Sequence, residues 1–313
     1  MRIFLAGATG AVGQRLVPAL LEDGHEVVAM TRTAAKADGL RAVGALPVVA
    51  DALDREAVMG AVLGAEPEVI IHQMTALTGA TDMKHFDRVF ATTNRLRTEG
   101  TRHLLDAARA AGTRRLIAQS FTGWPFAREG GPVKDEKAPL DSDPPRAQRE
   151  TLAAIRELEA LVGDADGVEG VVLRYGGFYG PGTSLGADGE VTELVRRRRL
   201  PVVGSGDGRW SFTHIDDAAG GVLATLAPGG PTGVFAIVDD EPARTADWLP
   251  ALASALGAPA PRRVPAWLGR LAAGDAAVTM MTASRGASNE RARSVLGWTP
   301  RWPTWREGFR EGL

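Results

Sequence analysis

Residues 7–13 read Gly7-Ala8-Thr9-Gly10-Ala11-Val12-Gly13, after an apolar run at 3–5 and before a stretch at 12–21 whose apolar residues recur three and four apart. That is the order strand, tight turn, helix. Glycine lets such a turn take positive φ and lets backbone come close to a ligand. The helix that begins there offers unpaired N–H groups and the positive end of its dipole to an anion. The spacing is G-x-x-G-x-x-G, not the G-x-G-x-x-G of ordinary dinucleotide folds. Three glycines alone are also what the sterics of a strand-to-helix turn require. Their place in the first strand–helix unit favours a phosphate, with Gly7, Thr9, Gly10, Ala11, Val12 and Gly13 as its contacts.

Working outward, short apolar runs recur at 27–30, 48–49, 69–71, 116–118 and 171–173, and longer amphipathic stretches lie between them, one of them spanning 86–111. Nearly continuous apolar strands alternating with helices predict an α/β fold, a doubly wound parallel sheet of the Rossmann kind covered on both faces. A further strand is expected at 234–238. Beyond residue 175 glycine and proline become frequent. The expected division is therefore a dinucleotide-binding domain of residues 1–175 plus 233–240, and a smaller C-terminal substrate lobe of 176–232 plus 241–313. Residues 127–145 read as an exposed loop. No internal repeat is evident.

Composition narrows the class. The chain has 313 residues, 44% hydrophobic and 24% charged, with a formal net charge of -2, which gives no reason to expect nucleic acid or an anionic membrane as partner. There is no cysteine, hence no disulfide, no thiolate nucleophile and no zinc–thiolate centre. No apolar run reaches the roughly 18 residues of a membrane span, and nothing like a signal peptide precedes Ile3. The expectation is a soluble cytoplasmic protein, monomer or homodimer, acting on a small molecule.

The second strand ends at Thr31-Arg32, where an acidic residue would hold the ribose 2′-hydroxyl of NAD; arginine there suits a 2′-phosphate, and Lys36 adds a second charge. NADP is therefore the expected cofactor. At the third strand end Asp51 is placed to meet the adenine amino group beside Ala52, or equally to cap a turn.

The stretches 7–13, 48–54 (VVADALD), 99–120 (EGTRHLLDAARAAGTRRLIAQS), 171–183 (VVLRYGGFYGPGT), 204–226 (GSGDGRWSFTHIDDAAGGVLATL) and 296–302 (LGWTPRW) together resemble the extended short-chain dehydrogenase/reductases, the NAD-dependent epimerase/dehydratase family. The resemblance runs from residue 1 to about 310. It implies that Ser120 and Thr122 hold a substrate carbonyl, and that Tyr175, Gly177, Phe178 and Tyr179 pass the nicotinamide carboxamide. His72 and Gln73 would flank the same ring, with His72 a minor option as proton donor. Arg209 matches a position that meets the substrate diphosphate in the family. Trp124, Trp210 and Phe212 suit an apolar substrate wall. Asp216 or Asp217 would cap a helix with His214 packed at its entrance, so no metal site is expected.

The sequence departs from the family at its acid/base pair, a tyrosine with a lysine four residues later on one helix face. The corresponding helix, 144–162 (PPRAQRETLAAIRELEALV), has neither residue. Thr151 stands in the tyrosine's place and Ile155 in the lysine's, with Gln148 as another register. The chain's two tyrosines, Tyr175 and Tyr179, follow the sixth strand instead. A positioned acid contributes roughly 10²–10⁴-fold, so hydride delivery survives its loss. The expected function is NADPH-dependent reduction of a ketone, its oxygen held by Ser120 or Thr122. Water, a protein hydroxyl or a phenol on the substrate itself would supply the proton. An aromatic polyketide fits, as in ketoreductases of the simocyclinone type from antibiotic pathways, which lack this tyrosine. The alternatives are a nucleotide-sugar epimerase or dehydratase, and a non-catalytic NADP-responsive regulator.

Overall fold

In the computed structural model, which describes residues 1–77 and 82–313, the apolar runs form the strands β1 (Arg2–Ala6), β2 (Glu26–Thr31), β3 (Leu46–Val49), β4 (Val69–His72), β5 (Arg115–Phe121), β6 (Glu169–Tyr175) and β7 (Gly233–Ile237). They make one sheet in the order β7-β6-β5-β4-β1-β2-β3, with every pairing parallel. The order reverses between β1 and β4, and at such a switch point the carboxyl ends of the strands leave a crevice. This is the Rossmann-like, doubly wound architecture expected.

Successive strand residues face opposite sides, and both sides are covered except at the edge strand β3, where Leu46 and Val49 are exposed. Ile3, Leu5, Val27, Ile71, Ile117 and Leu173 pack under α1 (Ala11–Glu22) and α8 (Ile215–Leu223). Phe4, Val28, Ile70, Leu116, Ala118 and Val172 pack under α3 (Arg55–Ala65), α5 (Thr101–Ala111) and α6 (Arg149–Gly163). α2 (Ala34–Ala42) sends Leu40 into the first of these cores. The long amphipathic stretch is one helical rod: α4 (Phe86–Arg95) runs into a π-turn, Leu96–Gly100, and then into α5.

A third core holds Tyr179, Phe212, Trp248, Trp305 and Phe309. It is built from α7 (Glu190–Arg196), α9 (Thr245–Ala255), α12 (Trp305–Glu311) and the parallel pair Gly177–Tyr179 with Phe212–His214. The chain does not divide between the bodies in the expected stretches. α8 lies within 176–232 yet packs on α1, and α11 (Glu290–Leu296) lies within 241–313 yet places Ala292 in the sheet core beside Trp298. α10 (Ala266–Thr282) breaks its helical path at Gly274, where φ is +84°. The stretch 127–145 is irregular apart from Val133–Lys134, which pairs with Gly286–Ala287, and Leu140, which bridges to Phe126. Among the described residues no helix is long and apolar enough to cross a membrane.

Candidate functional site

The three glycines of the first turn have different tasks. A Cβ on Gly7, whose φ is +97°, would lie 2.6 Å from the carbonyl oxygen of Gln73. A Cβ on Gly13 would lie 2.2 Å from the carbonyl oxygen of Gly7. Both glycines are therefore required by the turn itself. Gly10 is exposed, and its Cβ would meet only the Gly7 oxygen, at 3.4 Å. Gly10 is also the N-cap of α1, which has no side-chain cap and no acid in its first turn. The first N–H groups of a 12-residue helix are thus left to a ligand beside a glycine with open space. Thr9 and Ala11 are half-buried at the same turn, while Val12 is buried in the core and anchors the helix. The arrangement fits a dinucleotide phosphate.

β2 lies beside β1, so its end flanks this turn. Thr31 is buried and accepts from Thr33 N at 3.4 Å. Arg32 and Lys36 are exposed, and among the described residues neither side chain has a hydrogen-bond or ion-pair partner. Asp51 accepts from Leu53 N at 3.0 Å and so caps its own turn. Ala52 is buried behind it, its carbonyl bonded to His103 Nδ1 at 2.9 Å.

At the β5 end the structure separates the two hydroxyls that the sequence left equivalent. Ser120 is on the α6 side of the sheet and donates to Glu159 Oε1 at 2.7 Å. Glu159 is itself gripped by Arg174 through Nε (2.8 Å) and Nη2 (2.6 Å). Ser120 is therefore part of a buried ion-pair network and is not placed to hold a substrate carbonyl. Thr122, two residues on, is buried, and its hydroxyl has no partner. Its N–H donates to Tyr175 O at 2.9 Å, which extends the β5–β6 ladder to the cleft.

Thr151 opens α6 but is not a free hydroxyl. It donates to Asp87 Oδ1 at 2.6 Å and accepts from Asn94 Nδ2 at 3.0 Å. Asp87 also accepts from the N–H groups of Glu150 and Thr151, at 3.0 and 2.9 Å, and thereby caps α6 from α4. Ile155 is fully buried. Gln148, the alternative register, has its Nε2 buried without a partner, and so has the Oδ1 of Asn94, a neighbour that escaped sequence reasoning. Asn94 falls on the buried stripe of its helix, a signal that could have found it.

The remaining proton-donor options fall away on geometry. His72 is buried with both nitrogens engaged: Nδ1 accepts from Met74 N at 3.2 Å, and Nε2 lies 3.3 Å from Leu96 O. Burial pushes its pKa down to about 4, against the opposing bond to Leu96, so it is neutral and has no proton to spare. The Tyr175 hydroxyl sits between Gln73 Nε2 (3.5 Å) and Ala218 O (3.4 Å), and burial pushes its pKa up. Gln73 Oε1 is buried and unpartnered. Tyr179, expected near the nicotinamide, points its side chain into the third core, edge-on to His214 at 5.1 Å and Phe309 at 5.4 Å. Burial first, then nearby Asp239, Asp217 and Glu307, hold its hydroxyl protonated. Only its backbone and those of Gly177 and Phe178 remain for a cofactor.

Thr122, Trp124, Gly177, Arg209, Trp210 and Met280 line one cleft. It gathers the three expected substrate residues, Trp124, Arg209 and Trp210, around the unpartnered Thr122 hydroxyl. Trp124 packs edge-on against Phe86 at 5.3 Å, and Phe86 precedes Asp87, so the cleft wall joins the α6 cap. Arg209 Nη1 donates to Pro242 O at 3.3 Å, and Trp210 Nε1 to Met280 O at 3.2 Å. Phe212 lies in the third core instead. The 214–217 stretch differs in detail from expectation. His214 itself caps α8 by accepting from Asp216 N at 3.2 Å, while Asp217 holds the N–H groups of Arg301 and Trp302 at 2.6 and 3.1 Å.

Comparison with known proteins places this geometry. The model of the NAD dependent epimerase/dehydratase family matches residues 3–237. A 3-diazoavenalumate denitrifying reductase from a Streptomyces species is 48% identical over 310 residues, 99% of each chain. UDP-glucose 4-epimerase from Thermotoga maritima, solved with UDP-glucose, superposes with a TM-score of 0.77 at 20% identity over 99% of this chain and 96% of that one. The human epimerase family protein SDR39U1, solved with NADPH, superposes with a TM-score of 0.75 at 20% identity over 99% and 98%. At that identity the two structures speak to the fold.

Proposed function

We propose a function from one premise: the chain belongs to the NAD-dependent epimerase/dehydratase family. It is an oxidoreductase-type enzyme with a nicotinamide dinucleotide, and its reaction is hydride transfer from NADPH to a small aromatic diazo acid, which leaves the arene and N2. The single observation that carries this is the absence of a proton donor at the start of α6, where Thr151 is tied to Asp87 and Asn94 and Ile155 replaces a cation.

A dinucleotide held at the first turn would supply the hydride. A C–H bond forms at the ring carbon, the C–N bond breaks, and its electron pair leaves with N2. No proton enters, so the balance closes without the acid that the family's usual chemistry needs. The 48%-identical relative is named for such a denitrifying reduction of a diazo compound that is also a carboxylate. In this chain Arg209 is the cation of the cleft and suits the carboxylate, while Trp124 and Trp210 suit the ring. Thr122 orients the polar group beside the reacting carbon. Arg32 and Lys36, exposed and unpaired, support NADPH over NADH.

A second reading stays with a ketone beside a phenol, as on an aromatic polyketide, because the unpartnered Thr122 hydroxyl also suits a carbonyl oxygen. Deuterated NADPH separates the two. Offered an aryl diazonium carboxylate, the enzyme is expected to release N2 and to leave one deuterium on the ring carbon. Turnover with hydroxyaryl ketones alone would replace the first reading by the second. Tight NADPH binding with no turnover of either would make the protein a regulator.

A further inference from the structure

The π-turn between α4 and α5 carries a buried guanidinium with no hydrogen-bond or ion-pair partner among the described residues. It belongs to Arg97, which is 5% exposed and whose Nη1 is buried without an acceptor. The carboxylate whose charge reaches it, Glu159, is already taken by both Arg174 nitrogens and by Ser120. Burial lowers the pKa of Arg97 to about 10, which leaves it charged at neutral pH. A buried cation without a partner is costly, and a protein keeps one where a ligand completes it.

Its position says which ligand. The preceding residue, Leu96, bonds through its carbonyl to His72 at the end of β4. Asn94, one turn earlier, bonds Thr151 in the first turn of α6. The π-turn packs directly on α6. The π-turn that carries Arg97 therefore lies between the carboxyl end of β4 and α6, and the Arg97 charge reaches both His72 and Glu159. α6 offers no cation of its own there. Arg149 is turned to Asp143 at 3.2 Å, and Arg156 to the carbonyls of Leu140 and Asp141. A π-turn displaces one residue from the helical ladder, a distortion frequent at functional sites.

We propose that Arg97 is the cation that binds the nicotinamide half of the dinucleotide, at a helix, α6, that carries Ile155 in place of a lysine. The inference rests on the dinucleotide reading of the crevice and goes beyond it by naming a residue from a different helix. Arg97 would donate to an oxygen of the ligand, and the adenosine half would not need it.

Calorimetry with two probes tests this without turnover: NADPH, and adenosine 2′,5′-bisphosphate, which lacks the nicotinamide half. Arg97→Met is expected to bind NADPH about 10- to 100-fold more weakly, as for a lost charge-assisted hydrogen bond. It should bind the bisphosphate like the native protein, and its melting temperature should not fall. Arg97→Lys should bind NADPH with intermediate affinity. Unchanged NADPH affinity in Arg97→Met overturns the proposal, and so does an equal loss for both probes. If Arg97→Met does not fold, Arg97→Lys decides by the same comparison of probes. A native protein that binds neither probe overturns the dinucleotide reading, and this inference with it.

Discussion

Two ends of one strand edge are made differently. At the β1–β2 end, backbone makes the candidate site: a turn, a helix N-terminus, and glycines whose missing Cβ atoms leave room. At the β5–β6 end, side chains make it, and they have been exchanged. The strand-end serine is drawn into an ion-pair network, a threonine takes the cleft, and the helix start is locked by an aspartate from α4. Backbone geometry tolerates few substitutes, because a phosphate needs N–H groups in fixed directions. A proton donor can be dispensed with once the chemistry no longer asks for a proton. The difference separates what the fold requires from what one reaction requires.

The sharpest way to break this comparison is to add a side chain where only backbone is expected to act. Gly10→Val has room in the protein, since its Cβ meets one oxygen at 3.4 Å, yet the branched chain fills the phosphate's approach. NADPH binding by calorimetry should weaken at least about 100-fold, about 2.7 kcal/mol, with the melting temperature nearly unchanged. Gly13→Ala should do the reverse and destabilise the fold by about 1–3 kcal/mol, because its Cβ collides with the Gly7 carbonyl. If Gly10→Val binds normally, the backbone end is not the phosphate site.

The next effect is smaller and concerns the side-chain contribution at that same end. Arg32→Ala should weaken NADPH about 10-fold, roughly one charge-assisted hydrogen bond screened by solvent, and leave NADH alone. Equal losses for both cofactors would show that Arg32 does not read the 2′-phosphate.

The sheet was legible in the sequence because a strand covered on both faces must be apolar throughout, and 3–5, 69–71 and 116–118 are. The backbone end of the site was legible for a related reason: spacing encodes a turn. The side-chain end was not. Ser120 and Thr122 are both on the same strand face by alternation, yet the strand ends at Phe121 and the chain turns at Gly123, where φ is +98°. Only the structure shows that Ser120 remains under α6 while Thr122 has passed into the cleft. The inward turn of the Tyr179 side chain was not legible, because Gly176 lets the chain come against Ser211, where a Cβ would lie 2.2 Å from its carbonyl oxygen. That close approach leads residue 179 into the third core. Arg97 was not singled out in the sequence. It shares a buried stripe with Asn94, Thr101, Leu104 and Ala108, and that periodicity was the available signal.

The exchange of hydroxyls at β5 gives a paired test. Ser120→Ala removes one donor from Glu159 but leaves both Arg174 bonds, so it should cost about 1 kcal/mol of stability and change turnover less than about twofold. Thr122→Val keeps the shape and removes a hydroxyl that has no protein partner. Its stability should hold, and turnover should fall about 10-fold, the loss of one substrate hydrogen bond. Chemical denaturation and steady-state rates on the same two proteins check both. Ser120→Ala as the more damaged catalyst would restore the strand-end serine to the site.

The smallest effect is expected at Tyr179, and it bears most directly on whether the acid was lost or moved. The hydroxyl is buried without a partner, beside Gly308, where any Cβ would lie 2.1 Å from it. Burying an unsatisfied hydroxyl costs free energy, so Tyr179→Phe should be as stable as the native protein or more so, by up to about 1 kcal/mol. The ring itself, edge-on to His214, Phe212 and Phe309, keeps its packing. Turnover should remain within about twofold of native, because a phenol held protonated inside the third core has no path to a substrate in the Trp124–Trp210 cleft. A folded Tyr179→Phe enzyme with normal NADPH affinity and turnover reduced by the roughly 100-fold or more that a general acid provides would mean that the core opens during catalysis. Tyr179 would then be the relocated acid, and a reaction that needs no proton would lose its main support.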